Sequence, residues 1–169
     1  MFSMKLTLIE KIPQNYFHMV SEKEYDYVLD NEISVICDIC TVFKNSKLFK
    51  FEVSGFGEID WKVDFWDLST IIEQIPEIIK KIKSNSYNFV LDFYEQGIQR
   101  ELSFIDLNEN VKIICKSRTD WMPNPEFVFI SKKQIEKTIT DLYNDFIMYA
   151  NMLCEKLAKN SMFVEFMKA

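Results

Sequence analysis

Three short alternating runs stand in series between positions 87 and 117, and they constrain the fold more than any other feature of the chain. "YNFVLDFY" (87–94) sets Tyr87, Phe89, Leu91 and Phe93 on one side. "IQRELSFID" (98–106) sets Ile98, Arg100, Leu102 and Phe104 against Gln99, Glu101 and Ser103. "VKIICKS" (111–117) points Val111, Ile113 and Cys115 one way and Lys112 and Lys116 the other. A period of two is the mark of a half-buried strand. The connectors "EQG" and "NEN" are too short for anything but antiparallel neighbours, so a meander is expected.

Upstream, "KLFKFEVS" (47–54) alternates in the same way, with Phe49, Phe51 and Val53 inward. "ISVICDICTVF" (33–43) is apolar and β-branched, and reads as a strand buried on both faces, joined to 47–54 by a hairpin at "NSK". Gly55 and Gly57 end this sheet segment in a bend. Asp67 or Ser69 is expected to cap a helix reaching about Lys83, with an isoleucine stripe at helical spacing. Pro76 lies inside it and predicts a kink into two angled pieces. From Ser131, with Gln134 completing a capping box, Ile135, Ile139, Leu142, Phe146, Tyr149, Leu153 and Leu157 recur every three or four residues. That stripe predicts one helix of roughly 25–28 residues, about 40 Å long. The expected architecture is α+β: one domain over residues 1–169, an antiparallel sheet of about five strands in the order ββ-α-βββ-α, and both helices on one face.

Charge narrows the function. The net charge is −6, and it is regional. Residues 21–40 hold six carboxylates against Lys23, and residues 51–70 hold five against Lys62. Such a surface repels nucleic-acid phosphates and suits a basic protein partner. No secretory signal and no apolar stretch near the ~20 residues of a membrane span are present, so a cytoplasmic protein with free thiols is expected.

Tests for chemistry come back thin. Cys37 and Cys40 form a CxxC, but in a strand residues three apart face opposite sides, so buried free thiols are the ordinary reading. His18 is the lone histidine and has no motif around it. Three glycines support neither a phosphate loop nor a dinucleotide fingerprint. Asp60, Asp64 and Asp67 could gather around a cation, yet helix capping already accounts for Asp67. No catalytic residue, cofactor or metal ligand is assigned.

What remains is aromatic and acidic. "EIDWKVDFWDL" (58–68) interleaves Trp61, Phe65 and Trp66 with Asp60, Asp64 and Asp67. Aromatic anchors ringed by carboxylates suit an interface, although one of these aromatics is expected in the core. In "SRTDWMPNP" (117–125), Pro123 and Pro125 stiffen the loop holding Trp121. A wedge sealing the core edge is the favoured reading of Trp121, and a handle for a partner is the other. The partner-facing candidates are therefore Asp60, Trp61, Asp64, Trp66, Asp67 and Trp121.

The stretch from Asp92 to about Cys154, with "DFYEQGIQRELSF", "VKIICKSRTDWMPNP" and the amphipathic helix after them, resembles small acidic bacterial immunity proteins. Such proteins are encoded beside polymorphic toxins, including contact-dependent inhibition systems. The resemblance covers the C-terminal third to half of the chain and carries over no residue roles. It implies a cytoplasmic, non-enzymatic protein that binds and neutralises a cognate toxin domain. The alternative expectation is a small-ligand module or enzyme with a pocket between sheet and helix, where Arg100, Glu101 and Arg118 would be the polar groups. Open sheet edges also allow a homodimer.

Overall fold

The computed structural model describes residues 2–13 and 23–168. His18 lies outside the described residues. The architecture is α+β, as expected, but its element order differs. Strand β1 (Ser3–Leu8) pairs antiparallel with β2 (Phe49–Ser54), and helix α1 (Glu32–Ser46) lies between them in sequence. Helix α2 (Phe65–Lys83) follows, then β3 (Phe89–Phe93), β4 (Arg100–Leu107), β5 (Asn110–Ser117) and β6 (Phe127–Ser131). Helices α3 (Lys132–Leu153), α4 (Glu155–Ala158) and α5 (Ser161–Met167) end the described chain. The sheet is thus not one of five strands: β1–β2 is a separate ribbon, and β3-β4-β5-β6 is a second sheet in sequential order.

The largest correction concerns residues 33–43, which form helix α1 and not a strand. Asn31 caps it, its side chain accepting from the Ile33 and Ser34 amides. Val35, Ile36, Ile39, Cys40 and Phe43 are buried, a spacing that winds one stripe around a helix. That stripe packs on α2, and the burial outweighs the β preference of valine and isoleucine. Strand β2 is left to pair with β1, whose Phe2, Met4 and Leu6 side also faces the core. Strands β1 and β6 were not read from the sequence.

Helix α2 begins at least three residues earlier than expected. Asp64, not Asp67 or Ser69, is its cap; the Asp64 carboxylate accepts from the Trp66 and Asp67 amides while the Asp67 side chain accepts from the Asp64 amide. This is a reciprocal box with Asp in the place usually taken by Glu or Gln. Pro76 sits inside a single continuous helical element, so the expected split into two pieces is not seen. The C-terminal helix is also shorter than expected: α3 stops at Leu153, and Cys154 opens a break before α4. Leu157 keeps its buried place from that next turn.

Aromatic rings tie the ribbon to the four-stranded sheet. Phe2 of the ribbon edge contacts Phe104 of β4, and Trp61 meets Phe93 of β3 with centroids 5.4 Å apart. Helix α2 packs on β3, and α3 lies against β1 and crosses to β5 and β6. Gln74 of α2 closes the β3 edge: its amide accepts from the Asp92 N–H at 2.9 Å and donates to the Asp92 carbonyl at 2.8 Å, as a neighbouring strand would. No helix among the described residues is long and apolar enough to cross a membrane.

Candidate functional site

The structure divides the six candidate residues between core and surface. Trp61 is 1% exposed and lies under the rings of Phe2, Phe56 and Phe93, its indole N–H donating to the Gly55 carbonyl. Asp67 is 5% exposed and serves the α2 cap. Neither presents itself to a partner. Trp66 is 42% exposed on the first turn of α2, with the Lys44 ammonium over its ring. Asp60 and Asp64 are exposed but not unbalanced, since Lys50 and Lys44 lie 3.8 Å from them. These two carboxylates rim an open groove of about 350 Å³ floored by Phe49, Phe51 and Phe65, where Lys62 adds a third ammonium. The expected acidic patch is in fact a surface of mixed sign.

Trp121 acts as a wedge over a buried cation. The Arg100 guanidinium lies between two indoles, its carbon 3.4 Å from the Trp121 ring centroid and 4.3 Å from that of Trp61. Arg100 points inward because it shares the apolar side of β4, and Glu58 Oε2 stands 2.7 Å from its Nη2. That ion pair lacks hydrogen-bond alignment, and Arg100 Nε and Nη1 have no hydrogen-bond partner. The Glu58 carboxylate and the two indole rings together compensate the burial of this charge. The loop is fastened by the Asn124 amide, which donates to the Phe56 carbonyl at 2.9 Å. Gly57 permits the approach: at φ +90°, a Cβ there would lie 2.3 Å from the Asn124 oxygen.

Arg100, Glu101 and Arg118 do not converge. Adjacent strand residues face opposite sides, so Glu101 lies on the outer face, where Arg118 grips Asp92 with two bonds and reaches Glu101 at 3.2 Å. The inner face is filled by Leu91, Leu102, Ile113, Ile139 and Leu142, all buried. Cys37 and Cys40 also need correcting: on a helix, residues three apart share a face, so the sulfurs do not diverge as they would in a strand. Burial pushes both thiols up, and pushes Cys115 to about 11. Protonated thiols are poor nucleophiles. Among the described residues no group of three or more His, Cys, Asp or Glu side chains is placed to hold a metal ion.

No family model, curated protein or solved structure matches the chain. The surface itself then carries the argument. Its least water-compatible feature was not picked out from the sequence. Residues Asp26–Asp30 form a tight turn in which Asp26 accepts from the Val28, Leu29 and Asp30 amides and Asp30 accepts from the Asp26 amide. At its tip Tyr27, Val28 and Leu29 are 74%, 90% and 83% exposed. The turn is anchored: the Tyr25 hydroxyl donates to Asp38 of α1, and the Tyr27 hydroxyl lies 3.2 Å from Ser161 Oγ of α5. An apolar triplet between two aspartates, "DYVLD", was the available signal.

Proposed function

We propose that the chain is a non-enzymatic protein-binding module, specifically an immunity protein that neutralises a basic toxin domain. The observation that carries this reading is the Tyr27–Leu29 tip, three consecutive apolar residues held in water on a hydrogen-bonded turn. A pre-ordered turn loses little entropy on docking, and contiguous exposed apolar side chains mark interaction surfaces. Glu24, Asp26, Asp30 and Glu32 flank the tip in the sequence, so the fitting partner has an apolar cleft with a cationic rim. Toxin domains that cut nucleic acid carry such rims because they bind phosphates.

The test is co-expression with the product of the adjacent gene. Expected are toxicity of that product alone, rescue by this chain, and a complex that weakens as salt rises. Val28→Asp with Leu29→Asp should abolish rescue while leaving the melting temperature unchanged, because neither side chain packs on the core. A neighbour that is neither toxic nor bound, or rescue that survives the double variant, would refute the proposal.

A further inference from the structure

The two edges of the four-stranded sheet are treated differently by the fold. Gln74 occupies the outward N–H and C=O of Asp92 on β3. No described group bonds the outer edge of β6 in this way. The register says which β6 groups point outward. The Cys115 amide donates to the Glu126 carbonyl at 2.9 Å, and the ladder runs on through Ile113↔Val128 and Val111↔Ile130. Residues 126, 128 and 130 therefore spend their backbone groups on β5, and Phe127, Phe129 and Ser131 direct theirs away from it. The same two phenylalanines are 41% and 59% exposed on the outer sheet face. Beside them lie Ile114, with which Phe127 is in register, and Lys112, with which Phe129 is in register. An edge with free amides and exposed aromatic rings is a template for strand addition.

We infer that β6 pairs with β6 of a second copy of this chain, antiparallel, about a two-fold axis through Phe129. This goes beyond the toxin-binding reading and does not depend on it. Charge and register favour the self-pairing. With Phe129 on the axis, Phe127 lies opposite Ser131 of the second copy and Phe129 opposite its counterpart; Phe127 and Phe129 have outward N–H and C=O groups to exchange, while Ser131, whose carbonyl is taken by α3 as its N-cap, offers its N–H. The same register brings Glu126 toward the start of α3 in the second copy, where Lys133 is exposed and Lys132 is already paired with Asp106, whereas a parallel pairing sets like charge on like. The two outer faces then merge: the row Ile105–Lys112–Phe129 continues across the axis into its own copy. Pro125, next outward on the edge, has no N–H and limits the pairing to this short segment.

Sedimentation equilibrium of the full chain tests the pairing. The expected mass is that of two chains. Phe129→Pro deletes one outward N–H and leaves the β5 ladder intact, and Phe129→Lys places two ammonium groups against each other on the axis. Both should halve the mass without changing the far-ultraviolet circular dichroism or the melting behaviour measured at dilution. If the proline perturbs folding, the lysine variant alone decides. Glu126→Lys should raise the dimer dissociation constant severalfold. A wild-type chain that stays single up to its solubility limit, or a dimer left intact by the position-129 variants, would overturn the pairing. Neither result bears on rescue from the toxin, which is read through Val28 and Leu29.

Discussion

Asp67 closes the capping box of α2 from a site that solvent barely reaches, with Oδ1 lacking a hydrogen-bond partner. Burial pushes its carboxyl up to about 6, helped by the nearby charges of Asp64 and Glu95 and opposed by the bond from the Asp64 amide. The folded-state value thus exceeds the ordinary 3.8 of an unfolded chain. Between those values the native state holds a proton that the unfolded state releases, so stability falls as pH rises from about 4 to beyond 6. The loss is on the order of 2–3 kcal/mol. Asp67→Asn, whose Oδ1 still accepts from the Asp64 amide, should remove that slope and stabilise the protein at neutral pH; urea unfolding across the range checks it. Trp121 and Trp66 make a contrasting pair. Trp121→Ala removes one of the two rings against Arg100 and should cost about 2–4 kcal/mol. Trp66→Ala removes a partly exposed ring and should cost about 1 kcal/mol, less than the Trp121 change, by the same denaturation measurement.

At the scale of elements, side chains stand in for missing backbone partners. Gln74 does so on the β3 edge, and Gln74→Leu would leave the Asp92 N–H and C=O unpaired beneath α2. A loss of about 1–3 kcal/mol is expected, and amide exchange at Asp92 should quicken far more than at the neighbouring β4 ladder. The Gly55–Gly57 bend is the second case. It turns the buried Phe56 ring inward at φ 56° and brings Gly57 against Asn124, so the bend and the Trp121 loop hold each other. Gly57→Ala forces the two backbones apart and should destabilise by about 2–4 kcal/mol in thermal or chemical unfolding. A circular-dichroism melt would detect a shift of that size.

For the molecule as a whole, the two proposed binding surfaces, the Tyr27–Leu29 turn and the β6 edge, lie on the outside of a filled interior. The β3–β5 meander, the β2 alternation, the isoleucine stripe of α2 and the capped start of α3 were legible in the residues themselves, because periodicity and caps are local consequences of backbone geometry. The alternation of Phe2, Met4 and Leu6 was equally local, although the segment was not assigned to a strand. Residues 33–43 were beyond local reading: their β-branched residues favour a strand, and only packing on α2 makes the 35–36–39–40–43 stripe decisive. The candidate site followed the same division. Sequence marked aromatics and acids at 58–68 and at 121, but whether an indole is core or surface depends on what the fold sets above it. Trp61 and Trp121 both come to lie against Arg100 because the 55–57 bend meets the 121–125 loop, a contact between segments far apart in the chain. The residues by themselves determined an acidic α+β chain with an antiparallel meander. Tertiary structure decided which strand edge stays open and which apolar residues are left in water, since both depend on long-range packing that no local pattern encodes.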